Sequence, residues 1–224
     1  MKNKYIITLL FITVCSLFSH AQDSKSENVV LFFNPQYLFT NGVRIDVDFR
    51  KSDSNKWWII SPYYYSDGSD RSFLNRGSGS YYNSTEYESM QGYGLGVSRK
   101  IFFKAKATAK GLYVLVGLTY RHFNIEANNY TYVEITGDDG LKYYDLRNTD
   151  YTININSYNG SLVLGHQFNP APRFYIDLYM GFGLRYSAHS SPENATIEYD
   201  RGNIDYGYNG TQFIGGGRLG ITLF

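Results

Sequence analysis

Charged residues occupy every second position of one short segment, 43–50, and the positions between them are apolar. The four charged residues are Arg44, Asp46, Asp48 and Arg50. In a β-strand this spacing places all four side chains on one face and the apolar side chains on the other. Charges that are removed from water must be paired. The segment therefore predicts an ion-paired network on the inner face of a sheet.

Four more charged residues lie in other apolar-alternating segments: Arg121, Asp177, Arg185 and Arg218. If the strands close into one barrel, the first and last strands meet and these side chains surround a single interior. An eight-stranded barrel is just wide enough for its own side chains to fill. Two interpretations remain open, a structural plug of ion pairs and a gated or very small polar pore.

Histidines offer a second kind of chemistry. His189 is followed by Ser190, and Glu193 and Glu198 lie nearby. This arrangement loosely resembles the His-Ser-Glu set of a hydrolase that acts on lipid A. Serine and glutamate are abundant in any polar loop, so the pattern is weak and we expect no enzymatic activity.

Metal ligands are sparse in this chain. His122 and His166 are expected at opposite ends of the sheet, too far apart to share an ion. Asp138 and Asp139 form a pair in one turn, which supplies too few oxygens for a dedicated calcium site. We therefore expect no metal and no cofactor.

The segment that positions these groups most clearly is 173–187. Every even position from Phe174 to Tyr186 is large and apolar, and the odd positions are polar, small or tyrosine. A period of two over this length indicates a strand longer than the usual 5–6 residues of globular proteins. A bilayer-crossing strand needs roughly 9–11 residues with this alternation. The segment therefore predicts a wall of a membrane barrel.

The same alternation predicts eight strands, at about 29–39, 43–50, 57–65, 87–103, 112–125, 152–168, 173–187 and 206–224. Asn41-Gly42 indicates a tight hairpin after the first strand. Short connections at 51–56, 104–111 and 169–172 alternate with long ones at 66–86, 126–151 and 188–205. This is typical of barrels with short periplasmic turns and long outside loops. We expect residues 126–151 to form a hairpin that extends beyond the membrane.

Aromatic residues cluster at the two ends of the expected strands. One group comprises Trp57, Trp58, Phe102, Phe103 and Phe174, and the other Tyr64, Tyr120 and Tyr186. Two such groups predict the aromatic girdles that mark the two membrane interfaces. Tyrosine-rich strands also occur in soluble barrels, so a secreted lipid-binding barrel remains the alternative.

The first residues predict export. Lys2 and Lys4 precede an apolar run, and Ser19-His20-Ala21 supplies small residues for cleavage. Residues 1–21 are therefore expected to be a signal peptide, and residues 22–224 one barrel domain. The one cysteine, Cys15, lies in the expected signal peptide, so the mature chain has no disulfide. With 21 basic and 20 acidic residues and no basic block, nucleic acid is not an expected partner.

Together these features resemble the small eight-stranded outer-membrane barrels of the OmpA/OmpX kind, and more closely the outer-membrane barrel proteins of Bacteroidota. The chain ends in Phe224, and a terminal phenylalanine resembles the signal that the barrel-assembly machinery reads, although Leu223 and Ile221 are out of phase with it. The resemblance implies an all-β, antiparallel, up-and-down transmembrane barrel in the outer membrane, with outer-membrane lipids and the assembly machinery as partners.

The expected function follows from this fold. A plugged lumen and tyrosine-rich outside loops favour an interaction or structural protein, acting through its loops or as a subunit of a larger outer-membrane complex. A narrow channel for small or hydrophobic solutes is the alternative, and a lipid A-modifying hydrolase is a lesser one.

Overall fold

The structure is a computed structural model that describes residues 29–50, 54–68, 86–103, 110–190 and 205–223. The expected signal peptide, residues 1–21, and the expected assembly signal, Phe224, lie outside these ranges. So do Glu193 and Glu198 and most of the expected outside loops at 66–86 and 188–205.

The described chain is all-β apart from one short helix. Its strands are β1 (Val29–Phe33), β2 (Gly42–Phe49), β3 (Lys56–Gly68), β4 (Glu86–Phe102), β5 (Gly111–Thr136), β6 (Lys142–Ala171), β7 (Phe174–Ser190) and β8 (Gly210–Thr222). Each strand pairs antiparallel with the next, and β8 pairs with β1 to close the ring. The prediction of an up-and-down ring of eight strands is confirmed. Within the described ranges, no helix is long and apolar enough to span a membrane.

The alternation of β7 is resolved as the sequence predicts. Phe182 and Leu184 point outward and are about 70% and 67% exposed, whereas Tyr175 and Asp177 point inward and are buried. The same rule holds around the ring, because successive side chains of a strand lie on opposite faces of the sheet. The exterior is therefore apolar and the interior carries the charges.

The first strand is shorter than the expected 29–39. It ends at Phe33, and Pro35–Thr40 form a 3-10 helix. Pro35 has no N–H to donate to a neighbouring strand, and its fixed φ suits the first turn of a helix. The helix ends at Asn41, which adopts the left-handed conformation with φ 53°. The expected tight hairpin at Asn41-Gly42 is thus replaced by a helical connection.

This early end leaves part of β8 without a strand beside it. The register joins β1 to β8 only from Val30↔Thr222 to Phe33↔Leu219. Residues 210–218 of β8 therefore have no partner in β1. The 3-10 helix lies on this side, where the Gln36 side chain donates to the Tyr179 hydroxyl across 2.6 Å.

Strands β5 and β6 are much longer than the expected 112–125 and 152–168. They form a hairpin whose register runs without interruption from Gly111↔Gln167 to Thr136↔Lys142. The turn between them contains Gly140, whose φ of 76° favours glycine. Among the described residues, β4 pairs with β5 only as far as Asn128, and β7 pairs with β6 only from Asn154. The tip of the hairpin therefore projects beyond the ring, as the sequence predicts for residues 126–151.

The two ends of the ring differ in their connections. We call the end at which β2, β4 and β6 finish, at Phe49, Phe102 and Ala171, the lower end, and the opposite end the upper end. At the lower end, the Asn169 side chain donates to the carbonyls of Ala171 and Phe174, which fixes the turn between β6 and β7. Both described chain ends, Val29 and Leu223, also lie there.

Glycines in the wall make room for large interior side chains. A Cβ atom at Gly165 would overlap the ring of Tyr113, and one at Gly220 would overlap the ring of Phe32. A Cβ atom at Gly92 would lie 2.5 Å from the ring of Phe123. The narrow ring can hold these aromatic side chains because the wall positions next to them are glycines, which have no side chain.

Candidate functional site

The interior holds a compact ionic cluster centred on Arg218. Its Nη1 donates to Asp46 Oδ2 at 2.8 Å and to Asp48 Oδ1 at 3.2 Å. Its Nε and Nη2 donate to Asp177 Oδ2 at 2.9 and 2.6 Å. All four residues are at most 2% exposed. One guanidinium thus joins carboxylates from two widely separated strands, β2 and β7, through the five donors that arginine offers in a fixed plane.

Lys100 is the second cation of the cluster, and sequence reasoning missed it. Its amine donates to Asp48 Oδ2 at 2.7 Å and to the Gln167 side chain at 2.6 Å, and lies 3.4 Å from Asp177 Oδ2. Tyr113 adds a neutral donor, with its hydroxyl 2.7 Å from Asp177 Oδ1. The cluster therefore crosses the lumen from β4 to β7.

Arg44 completes the pairing. Its Nε and Nη2 donate to the two carboxylate oxygens of Asp46 at 2.6 and 3.1 Å. Its Nη1 donates to the Tyr37 hydroxyl, and its guanidinium lies over the ring of Tyr63. Three carboxylates thus face three cations, and the charges of these six residues balance one another.

An apolar layer surrounds the cluster toward the lower end. It is formed by Val30, Phe32, Trp57, Ile59, Phe102, Tyr113, Leu115, Val163 and Tyr175. The ring of Phe32 supports two of the cations, with Arg218 at 4.4 Å and Lys100 at 5.2 Å from its centre. Ions and rings thus pack against one another across this section of the described interior.

Two expected girdle residues belong to this layer instead. Trp57 and Phe102 are each 2% exposed and point inward, so their assignment to the girdle is corrected. Each has an aromatic neighbour in sequence, Trp58 and Phe103, and those are the residues that point outward. In a strand only one member of an adjacent pair can face the exterior.

A second apolar layer lies nearer the upper end. It is formed by Tyr63, Tyr65, Met90, Phe123, Ile125, Ile153, Ile155 and Tyr206. The rings of Phe123 and Tyr206 are 4.6 Å apart, and those of Tyr65 and Phe123 are 5.1 Å apart. Tyr37 of the 3-10 helix packs on Tyr63 and joins the helix to this layer.

A cavity of about 390 Å³ is bordered by side chains of both layers. Four arginines are among the residues that line it: Arg44, Arg121, Arg185 and Arg218. No aspartate or glutamate lines it among the described residues. Tyrosines, serines and threonines supply further polar groups, together with the side chains of Gln36, Asn159 and Gln212.

Arg121 and Arg185 do not join the ionic cluster, although the sequence analysis placed them there. Both point inward but line the cavity. The Arg185 Nη1 donates to the backbone carbonyl of Asp205 at 2.9 Å. The Nε atoms of both arginines are buried and have no hydrogen-bond partner among the described residues.

The exterior carries an apolar belt, which we define by one residue from each of seven strands: Ile45, Ile60, Leu95, Leu118, Leu162, Phe182 and Phe213. All seven side chains are exposed, for example Leu118 to 73% and Phe213 to 64%. From Phe174 to Tyr186, a strand that rises about 3.3 Å per residue at a tilt of about 40° spans on the order of 30 Å along the axis. Such a span matches the hydrocarbon thickness of a bilayer.

Aromatic residues border this belt on both sides. At the upper side, Tyr64 pairs with Tyr93, and Tyr158 pairs with both Tyr120 and Tyr186. At the lower side, the expected residues Trp58, Phe103 and Phe174 are exposed, and Arg99 lies over the ring of Trp58. The belt thus has a polar aromatic edge above and an aromatic edge with a cation below.

The histidines form no shared site among the described residues. His122 lies beside Tyr93 near the upper side of the belt, and His166 packs on Phe168 at the lower end. His189 has its Nε2 3.1 Å from the carbonyl oxygen of Gly207, so one ring nitrogen is already bound to backbone. In the described ranges, no group of three or more metal-binding side chains is found.

Comparison with protein-family models, with curated proteins and with solved structures finds no significant match to this chain. The ring, its apolar belt and its ionic interior are therefore the grounds on which a function is assigned.

Proposed function

We propose that this chain is an integral outer-membrane barrel with a plugged lumen that acts as a structural or interaction component. The observation that carries the proposal is the apolar belt on the outside of a closed ring whose charges face inward. Soluble monomers rarely expose a contiguous apolar patch of more than a few hundred Å². A belt around the ring, bordered by tyrosines, suits a lipid environment.

The interior supports a closed lumen. The ionic cluster of Asp46, Asp48, Lys100, Asp177 and Arg218 crosses it, and apolar layers lie beside and above the cluster. Opening a path would separate buried ion pairs, which is strongly unfavourable. This argues for a rigid wall and a fixed lumen in preference to conduction.

The projecting hairpin supports a role in contact with another protein. Its exposed apolar and aromatic side chains are Tyr132, Leu141, Tyr143, Tyr144 and Leu146. Tyrosine supplies large contact area at low entropic cost and is enriched at protein interfaces. We propose that an outer-membrane or surface protein binds this hairpin.

The experiment is the native mass and protein content of the barrel after extraction in mild detergent, with an affinity tag in the outside loop that the sequence predicts at 66–86. We expect it to co-elute with a partner, and the double substitution Tyr132→Ser with Tyr144→Ser to release that partner. Leu112→Ser, an exposed residue at the lower end, is the matched control. A species with the mass of the single chain, unchanged by the hairpin substitutions, would contradict the interaction role.

A narrow channel is the second candidate, and the interior cavity favours it. Gly183 faces inward, and a Cβ atom there would lie 2.8 Å from Asn159, which lines the cavity. Planar bilayer recordings test it. A steady conductance that Gly183→Trp abolishes would replace the structural role by a channel, and a silent bilayer excludes conduction.

A further inference from the structure

The cavity carries a charge that the described protein does not balance. Three aspartates are bound by Arg44, Lys100 and Arg218. Of the four arginines that line the cavity, this leaves Arg121 and Arg185. Neither is within ion-pair distance of a carboxylate in the described ranges. Guanidinium groups keep their proton at any pH that proteins meet. Within the described part of the chain, the cavity wall therefore carries two positive charges that no carboxylate compensates.

Both arginines are held where they can act together. They line the same cavity, and each adds to the electrostatic field that the other experiences. Gly94 makes space for Arg121, because a Cβ atom there would lie 2.7 Å from the Arg121 Cγ. Like charges confined in one part-buried space repel each other, which an anion between them would relieve.

The hydrogen-bonding groups around them suit an anion. Arg121 Nε and Arg185 Nε are buried donors with no acceptor among the described residues, and the Tyr65 hydroxyl lies beside the Arg121 side chain. Buried hydrogen-bond donors normally have an acceptor, so two buried Nε donors without one call for an explanation. Arginine binds phosphate and carboxylate through two parallel hydrogen bonds, and such charge-assisted bonds are the strong ones.

The size and position of the cavity indicate a small organic anion. About 390 Å³ falls in the range of small-molecule sites. The lining includes Phe213, whose side chain is also part of the apolar belt. Phe213 lies in the part of β8 that has no partner in β1, so the cavity borders the exterior at the gap covered by the 3-10 helix.

We propose that Arg121 and Arg185 form a binding site for the phosphate or carboxylate group of a small anion. The group bridges the two guanidinium ions and accepts a hydrogen bond from Tyr65. The anion has two possible sources, a free solute and the head of an amphiphile whose chain leaves past Phe213. This anion site is a proposal separate from the structural role, and it applies to the barrel in detergent as well as in a membrane.

Isothermal titration calorimetry of the full chain in a neutral detergent tests this proposal with inorganic phosphate and hexyl phosphate as probes and hexanol as the uncharged control. We expect saturable binding of a phosphate probe and none of hexanol. Arg121→Gln and Arg185→Gln should each weaken binding about tenfold, since each removes charge-assisted hydrogen bonds. Arg147→Gln, on the exposed hairpin, should leave it unchanged.

The probes also separate the sources. Equal affinity for both phosphates supports a free solute, and binding of hexyl phosphate alone supports an amphiphile that enters from the side. Binding of neither probe, or binding that the two arginine variants leave unchanged, overturns the proposal.

The melting temperature of the ligand-free variants gives a second readout. We expect Arg121→Gln to melt no lower than the parent, because it relieves repulsion, whereas Arg185→Gln also loses the hydrogen bond to the Asp205 carbonyl. A clear drop for Arg121→Gln would assign this arginine to a carboxylate of the chain itself and overturn the site.

Discussion

Asp177 and Arg218 lie directly opposite each other in the register of β7 and β8, and two guanidinium nitrogens of Arg218 donate to the same Asp177 oxygen at 2.9 and 2.6 Å. The pair joins neighbouring strands, and the same guanidinium also reaches Asp46 and Asp48 of β2, past the intervening strand β1. A local cross-strand contact is thereby extended to a third strand.

Asp177→Asn should strongly destabilise the barrel. The substitution leaves Lys100 and Arg218 with one carboxylate fewer, and an uncompensated buried charge costs about 3–5 kcal/mol. Urea unfolding of the refolded protein, followed by heat-modifiable migration in gels, measures the change. Asp145→Asn is the control, since Asp145 forms an exposed ion pair with Arg147 that contributes less than about 1 kcal/mol. Equal effects of the two substitutions would contradict the role of the cluster.

Gly165→Ala should disturb the cluster indirectly. The added methyl group would overlap the Tyr113 ring and push its hydroxyl away from Asp177. Overpacking of this kind costs about 1–3 kcal/mol. Gly160→Ala on the same strand is the matched control, because its Cβ would make only an ordinary 3.8 Å contact with Leu118. The free energy of unfolding should fall for the first variant and stay equal or rise for the second; the reverse order would refute the packing argument.

Leu118→Arg tests the apolar belt. Leu118 is 73% exposed, and a water-exposed position would tolerate arginine within about 0.5 kcal/mol. At the centre of a bilayer-facing strand the same change costs about 2–4 kcal/mol. Folding into lipid vesicles should therefore weaken for Leu118→Arg and not for Leu146→Arg on the projecting hairpin. If both variants fold equally well, the belt does not face lipid.

The hairpin tip should show a pH-dependent local structure. The Tyr143 hydroxyl and then the Leu141 N–H donate to Asp139, which lowers the pKa of that carboxyl below its usual value. A lowered pKa means that the charged form is stabilised in the folded hairpin. The contribution is therefore present at neutral pH and is lost as the pH falls through the folded pKa. Tyr143→Phe should move the Asp139 pKa upward in an NMR titration of its carboxyl carbon, and an unchanged value would show that the contact does not form in solution.

Much of the wall could be predicted from the sequence. An apolar residue at every second position identifies a strand unambiguously where one face of the strand is uniformly apolar. Phe174 to Tyr186 shows this in β7, and the charges of β2 fix its inner face. The length of β5 and β6 could not be predicted in this way. Beyond the belt both faces of the hairpin are exposed. The alternation of apolar and polar residues that marks a strand in the sequence therefore disappears, although the backbone pairing continues.

The interior was predicted only in part. Asp46, Asp48, Asp177 and Arg218 share the parity of their strands' inner faces, and the structure brings them together. Lys100 was overlooked because it follows Arg99, and a pair of adjacent cations does not show which one faces inward. The glycines at 92, 94 and 96 have the parity of Lys100 and of Phe102, and this was the available signal that both point into the lumen.

The early end of β1 had a local signal as well. Pro35 removes a backbone donor and restricts Asn34, so the apolar residues that follow, Leu38 and Phe39, continue the composition of a strand without its pairing. The separation of Arg121 and Arg185 from the ionic cluster had no such signal. The position of each arginine along the barrel axis depends on the stagger between neighbouring strands. The residue pattern of a single strand gives no information on that stagger.

The most direct test of the central claim, a closed barrel integral to the outer membrane, is alkaline carbonate extraction of isolated outer membranes from cells that produce this chain. We expect the barrel to stay in the membrane pellet as a heat-modifiable species, because its apolar belt is embedded in lipid. Release into the supernatant would contradict this claim and would favour a secreted, lipid-binding barrel.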